Sequence, residues 1–419
     1  MALPIASSSP TDPRLPGFGE LLDATLPGPV EAIYARAGSN IDTLRAIQAT
    51  WRPGKRLTMR YRVTALEGDL AGTNDVIAVI GDIPDGVSLV AGPETEVGVW
   101  VLPDDPMLPG LRSALDVPTV SRLLADLGSS ERAVSTRLRA YRPGRRAVVQ
   151  VDAGASSIFL KVVPPKRIES LHARHRFLTD HLPVPDSLGL APDLGIVVMR
   201  ALPGVDLRTA LREDRSPLPD PSAIVSLAAS LPSPWRTWQT WSPEDNLAGT
   251  VDLLARLVPE EATRLERLQR DIGEDTAPRD HPVHGDYHEA QILVDGSKLI
   301  GLIDVDTFGW GRPGDDAATM LAHLHLMAAG CRAPERVIEL ALSLNHAWDS
   351  VFDPVRLRLK TAAHVLGLAT GPFRVQSTDW RTETRSRIEV AGQWVESAHK
   401  VDERSLTAAS GMSHSGLSR

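Results

Sequence analysis

The segment HGDYHEAQILV, His284 to Val294, crowds two histidines, two carboxylates and an amide into a few residues and then turns apolar. Asp286 is followed by Gln291 at plus five and, beyond a short strand, by Asp304 at plus eighteen, near the end of LIGLIDVD. An aspartate that takes a proton from a hydroxyl, an amide oxygen and a carboxylate closing the next strand form a base-and-metal set suited to phosphoryl transfer. Magnesium prefers such hard oxygen donors and keeps phosphate oxygens in the rest of its shell. A polar loop entering a hairpin would read the same over HGD alone. What separates the two readings is the order of these pieces behind Lys161.

Against 39 arginines the chain has six lysines, and Lys161 stands inside the apolar run IFLKVV. An ammonium on a buried strand needs a partner, and it acts as a compact point charge rather than a fork. Glu169 is the only carboxylate in the following helical stretch before Asp180, so a Lys161–Glu169 pair across strand and helix is expected. A lysine on an edge strand facing water is the alternative.

These residues must be held by recognisable elements. RLRAY, RAVVQV and SIFLKVV read as strands, with DAGAS as a hairpin turn. The stretch KRIESLHARHRFLTDHL reads as a helix with Ile168, Leu171 and Leu178 on one face. VHGD, QILVD and KLIGLIDVD are short strands set into a chain that is mainly helical from Pro221 onward. Strands, one helix and then a helical region give an α+β architecture in two lobes. TWRPGKRLTMRYRV at 50–63 matches AYRPGRRAVVQVDA at 140–153, which points to an internal duplication. Aligning the following prolines, GVWVLPDD on IFLKVVPP, puts Trp100 at the place of Lys161. The resulting boundaries are a flexible lead-in 1–20, a strand-rich N-terminal cap 21–130 read as a degenerate copy of the N-lobe, an N-lobe 131–200, a helical C-lobe 201–399 and a disordered tail 400–419.

Composition narrows the partners. A formal charge of −8 argues against broad attraction to nucleic acid or an anionic membrane, while leaving room for a local basic pocket. The single cysteine, Cys331, excludes a disulfide framework and any cysteine-rich metal site. MALPIASSSPTDPR lacks the basic start and continuous apolar core of a secretory signal, and no apolar run has bilayer-spanning length. A soluble, cytoplasmic protein is expected.

HGDYHEAQILV and LIGLIDVDTFGWGRPGDDAA resemble the catalytic and metal-binding loops of the aminoglycoside phosphotransferase and choline kinase family, over roughly residues 131 to 395. That resemblance implies a two-lobed protein-kinase-like fold, with a β-rich N-lobe and a mainly helical C-lobe. It implies ATP and Mg2+ as cofactors, and transfer of the γ-phosphoryl group to a hydroxyl of a small molecule. By the same resemblance Asp286 is the catalytic base, Gln291 occupies the metal-binding asparagine position and Asp304 is the second metal ligand. Lys161 grips the α- and β-phosphates with Glu169 behind it, and the backbone around Met199, Arg200 and Ala201 meets the adenine. His284 braces the catalytic loop. Two departures stand out: glutamine replaces asparagine at 291, and YRPGRR takes the place of a glycine-rich loop.

Other groups carry less. Asp306 is a second metal contact or a surface carboxylate, and Asp315 and Asp316 read as a helix start. His323 and His325, two apart, fall on different helix faces. For the acceptor, GPFRVQSTDWRTET supplies Arg374, Asp379, Trp380 and Glu383, which suit a sugar or aminosugar as well as they suit a packed helix junction. The competing expectation is a kinase-shaped nucleotide-binding scaffold with weak or no turnover.

Overall fold

The computed structural model describes residues 9–415, except 155, 214–215 and 332–333, and side chains through Glu403. The chain divides into two compact units. The first runs through His172 and adds Ser187–Ala201 and Gly371–Arg381; the second holds Ala173–Asp186, Leu202–Thr370 and the chain from Thr382.

The first unit contains two five-stranded antiparallel sheets. In one, β1 (Ile41–Arg52), β2 (Arg56–Ala65), β3 (Gly72–Gly81), β4 (Ser88–Ala91) and β5 (Glu96–Val101) lie in the order β1-β2-β3-β5-β4. In the other, β6 (Ser135–Arg142), β7 (Arg146–Asp152), β8 (Ser157–Val162), β9 (Ser187–Ala191) and β10 (Ile196–Arg200) lie in the order β6-β7-β8-β10-β9. The orders are the same, strand for strand. Two helices precede each sheet: α1 (Phe18–Asp23) and α2 (Gly28–Arg36), then α3 (Leu111–Leu115) and α4 (Val117–Asp126). The second copy adds α5 (Ile168–Thr179) between β8 and β9, where the first has only residues 82–87. In β2, Leu57, Met59, Tyr61 and Val63 are buried while the intervening residues are wetter, the period-two pattern of a strand with one face on a core. Ile77, Leu111, Leu124, Val149, Leu160 and Val198 belong to one core that joins both sheets and α3–α4.

The duplication starts earlier than the sequence reading placed it. Asp12 opens DPRLPG and Asp105 opens DPMLPG, the same motif. Asp12 accepts from Trp51 Nε1 at 3.0 Å and from the Gly54 amide at 2.6 Å. Asp105 accepts from the Tyr141 hydroxyl at 2.8 Å and the Gly144 amide at 2.7 Å. Each R-P-G turn is thus pinned by an incoming carboxylate, with its glycine at positive φ (66° and 65°). The lead-in expected to be flexible through residue 20 is therefore structured from Asp12, which is buried because it must reach two donors.

Strand register also corrects the alignment. Thr58 pairs with Val79 and Val148 with Lys161, so Val79 is the counterpart of Lys161. Ile77 pairs with Trp100 and Phe159 with Met199, so Trp100 stands where Met199 stands. Aligning prolines skipped the strand exchange between β3 and β5.

The second unit holds α6 (Leu207–Arg212), α7 (Pro221–Ala229), α8 (Leu247–Leu257), α9 (Ala262–Ile272), α10 (Asp315–Ala328), α11 (Pro334–Asp349) and α12 (Pro354–Ala369). α13 (Gly371–Arg374) belongs to the first unit, and α14 (Trp380–Ser415) lies mostly in the second. Its strands are β11 (Val205–Asp206), β12 (His281–Val283), β13 (Ile292–Asp295), β14 (Lys298–Leu302) and β15 (Gly309–Gly311). In α9 the buried Leu265, Leu268 and Ile272 follow three-to-four spacing, as an amphipathic helix requires. The tail expected to be disordered from residue 400 instead continues α14 as helix to Ser415. Among the described residues no helix is long and apolar enough to cross a membrane.

Candidate active site

Two strand pairs set the polar loops of the second unit beside each other. β12 pairs with β15, Val283 opposite Gly309, while β13 pairs with β14, Ile292 opposite Leu302. The loop 284–291 leaves β12 and enters β13; the loop 303–308 leaves β14 and enters β15. The Ile303 amide donates to the Gln291 carbonyl at 2.8 Å, so Gln291 and Asp304 start from adjoining backbone. Asp304 itself takes the left-handed conformation, φ 56°, uncommon for a residue with a Cβ and tolerated best by Asp and Asn.

His284 is fully buried and ties the two loops together. Its Nδ1 accepts the Asp286 amide at 3.2 Å, which leaves the ring proton on Nε2 to donate to the Ile303 carbonyl at 3.0 Å. Burial holds its pKa below the usual histidine value and keeps the ring neutral, the form this pair of bonds needs. The Thr307 hydroxyl donates to the His284 carbonyl at 2.9 Å. From below, Asp316 accepts the amides of His284 at 2.7 Å and Gly285 at 2.9 Å. Asp316 was expected only as part of a helix start; the N-cap of α10 is Gly314, and both Asp315 and Asp316 are buried. Burial pushes the Asp316 carboxyl up to about 7, against the pull of the two amides. With its neighbours fixed in this way, Asp286 alone in the HGD triplet keeps an open side chain, 43% exposed.

A second network lies behind Gln291. Its amide nitrogen is 3.0 Å from Nε2 of His288, whose ring stacks on His323 at 4.0 Å between centroids and 6° between planes. Glu289, almost fully buried, accepts from Arg208 Nε at 2.8 Å and lies 3.5 Å from His288 Nδ1 and 3.9 Å from His323 Nδ1. Burial opposes its charge, yet His288, His323 and Arg208 hold it at about 2. Burial and the neighbouring His288 press His323 down to about 3. Asp286, His288 and His323 offer ligand atoms within 4.8 Å of one another. The stacked rings and Glu289 give both histidines other work, so we read this cluster as support for the loop. Gln291 and Asp304 both carry oxygen donors of the hard kind that magnesium prefers.

α5 braces the Asp304 loop from its C-terminal half, which belongs to the second unit. Arg174 Nε donates to the Phe308 carbonyl at 2.9 Å, and His175 Nε2 lies 3.9 Å from Asp306. The sequence reading missed Arg174, His175, Asp316 and the Glu289 network. The signal available was the run GRPGDDAA, in which two acids begin an otherwise apolar helix.

Within the first unit, Lys161 is 4% exposed at the middle of β8, paired to Val148 and Val197, so the edge-strand alternative does not hold. Glu169 does not pair with it. Ile168 and Leu171 face the core with Val197 and Met199, which turns Glu169 outward into solvent. Met199 is buried, and the Ala201 amide donates to the Ser157 carbonyl at 3.0 Å, so that N–H is not available to a base. Arg200 points to Glu131, 3.2 Å away. The turn at YRPGRR spends the Gly144 amide on Asp105.

Of the three proposed acceptor residues, Trp380 and Glu383 are three apart on α14 and Arg374 is on α13. Arg374 and Trp380 are in the first unit and Glu383 in the second. Trp380 packs edge-on against Phe373 at 5.2 Å, and Phe373 continues through Trp51 to Phe18 at 6.5 and 4.8 Å. Arg374 lines a cavity of the first unit.

The sequence model of the phosphotransferase enzyme family (APH) matches residues 137–359, a stretch that includes Lys161, Asp286, Gln291 and Asp304. Among solved structures, macrolide 2'-phosphotransferase MphH from Brachybacterium faecium is 16% identical, with 64% of this chain and 97% of that one covered at a TM-score of 0.43. A thermostable mutant of aminoglycoside phosphotransferase APH(4)-Ia is 15% identical, covering 66% and 97% at 0.46. Aminoglycoside 2'-phosphotransferase-IIIa, in its GDP complex, is 12% identical, covering 66% and 98% at 0.43. No curated protein matches the sequence.

Proposed function

Because the chain belongs to the phosphotransferase enzyme family and has that family's α+β, protein-kinase-like fold, we propose that it is an ATP-dependent small-molecule kinase. In this reading it moves the γ-phosphoryl group to a hydroxyl of a sugar, an aminosugar or an aminoglycoside-like acceptor. The observation that carries the reading is the state of Asp286: a part-exposed carboxylate whose flanking backbone is held by Asp316 and His284. Positioning and electrostatics supply most of the acceleration in phosphoryl transfer, so a fixed acceptor of the hydroxyl proton is what the chemistry asks of the protein. Asp286 orients the hydroxyl and takes its proton. Lys161, buried on β8, supplies a point charge to the α- and β-phosphates. Magnesium held by Gln291 and Asp304 would neutralise charge on the phosphate oxygens. Met199 contributes an apolar surface for the base, and Glu169, turned to solvent, has no part.

One observation favours the scaffold reading: with the Gly144 amide taken by Asp105, the turn that replaces the glycine-rich loop has one fewer donor for phosphate. Asp286→Ala decides between the two. For a kinase, magnesium-dependent ATP turnover with a panel of hydroxylated sugars, aminosugars and aminoglycosides falls by about 10² to 10⁴, the range of general-base catalysis, while nucleotide affinity stays within about twofold. Absence of turnover in the unaltered protein across the panel, with nucleotide still bound, establishes the scaffold instead.

A further inference from the structure

A cavity is lined by the first copy of the duplicated sheet together with the Arg142–Arg145 turn of the second copy and Arg374. It measures about 580 Å³ and lies wholly within the first unit, on the face of β1 and β2 that carries Thr50, Arg52, Arg56 and Thr58. That face corresponds, by strand order and register, to the face of the second sheet that carries Lys161. Val79, the counterpart of Lys161, is part of the wall, so the single lysine is gone. In its place the cavity gathers Arg52, Arg56, Arg60, Arg142, Arg145 and Arg374, against one lining carboxylate, Asp85.

Beyond the effect of burial, Arg52 lowers the pKa of both Arg56 and Arg145, so like charges meet around one small space. Arg60 is satisfied by Asp75 and lies over the Tyr141 ring at 5.0 Å. Nε of Arg56 is buried without any hydrogen-bond partner. Burial, followed by the charge of Arg52, holds the Arg56 guanidinium below its ordinary pKa, and burial with Arg142 and Arg52 does the same to Arg145. Arginine forks match phosphate oxygens in pairs, and the volume is that of a small-molecule site. Trp100 and Met107 give the same cavity an apolar side.

We propose that this cavity is a binding site for a small ligand carrying two or more phosphate groups. Lys161 is not among its lining residues, and the proposal does not depend on the kinase reading.

Titration calorimetry of the full chain in metal-free, low-salt buffer tests this, using sodium tripolyphosphate, ADP and a sugar bisphosphate as probes. In Arg52→Gln/Arg56→Gln, affinity for the best probe is expected to fall at least about tenfold, the loss of one or more charge-assisted contacts. Thr50→Glu, at an exposed position of β1 that tolerates the change, should weaken it similarly by placing a carboxylate on the wall. Lys161→Ala should leave it within about twofold. Tightest binding of ADP or the bisphosphate would mean that the apolar side is used; tightest binding of tripolyphosphate would mean phosphate recognition alone, and either supports the site. No binding of any probe at millimolar concentration, equal binding by both cap variants and the unaltered chain, or loss only in Lys161→Ala would overturn it. The cap variants should melt no lower than the unaltered protein without ligand, since each relieves repulsion; that control separates lost binding from lost fold.

Discussion

Asp316 and Lys360 show how single buried charges fix the second unit. Asp316 offers one oxygen to each of two amides, and an asparagine there could accept only one while turning its NH₂ against the other. Asp316→Asn should therefore cost about 1–3 kcal/mol, the penalty of a buried donor left unsatisfied, and should lower kcat far more than nucleotide affinity. Denaturant unfolding together with steady-state kinetics checks both; an unchanged kcat would remove Asp316 from the support of the loop. Lys360, 2% exposed, meets Asp315 at 2.6 Å, Glu244 at 3.1 Å and also Asp275. Burial works against its charge, but the three carboxylates outweigh that and raise its pKa. Those carboxylates would suit a cation by spacing, and the ammonium already fills the place. Lys360→Met removes the buried ammonium shared by three acids, leaving Glu244 and Asp275 to Arg356, and should destabilise the second unit by about 3–5 kcal/mol, measured as a shift in the urea midpoint; a loss below about 1 kcal/mol would mean that the arginine compensates.

At the level of elements, the catalytic loop depends on its turn at Gly285. That residue has φ 80°, and a Cβ there would stand 2.6 Å from Thr240 Cγ2 and 3.0 Å from the Thr307 carbonyl. Gly285→Ala meets both a backbone penalty and two close contacts, and should cost about 1–3 kcal/mol while abolishing turnover. A fully active, equally stable variant would show that the loop can relax. The strands around this loop were legible in the sequence because VHGD, QILVD and KLIGLI are short β-branched and leucine runs bounded by Gly and Asp. The duplication was legible through its R-P-G turns. Its extent was not: DPRLPG and DPMLPG match at five of six positions in proline-rich stretches that look like linkers until their aspartates are seen to accept from the turn. Trp100 was assigned to the wrong strand because order within a sheet is set by hydrogen bonding and does not follow chain order. Glu169 failed for a similar reason. The sequence supplies the only nearby carboxylate, while the helical face is decided by Ile168 and Leu171, which need the core more than Lys161 needs that partner. Tight local spacing, as in HGDYHEAQ, is readable; pairings across elements require the packing.

The two units should respond differently to acid. Eleven of the twelve histidines belong to the second unit. Burial holds His323 and His364 down at about 3, and His284, His281 and His325 are lowered as well. A histidine kept neutral in the fold lets the unfolded chain take up a proton first, so its contribution is complete above the ordinary histidine pKa and is lost as pH falls through the folded one. Asp316 has the opposite sign: raised to about 7, it disfavours the fold near neutral pH and becomes less unfavourable on acidification. The histidines outnumber it, and each uncompensated proton is worth up to about 1.4 kcal/mol per pH unit. In the first unit Asp12 and Asp75 are held below the ordinary carboxylate range, so their contributions fade only in stronger acid. Differential scanning calorimetry between pH 7 and 5 should thus show the second unit's transition moving to lower temperature while the first unit's stays. His364, whose Nε2 is buried without a partner and whose Nδ1 is 3.1 Å from the Thr319 hydroxyl, gives the sharpest check. His364→Gln removes one site of proton uptake by the unfolded chain, so the acid-sensitive transition should become shallower by about one proton. If the slope is unchanged, buried neutral histidines are not what makes this unit acid-sensitive.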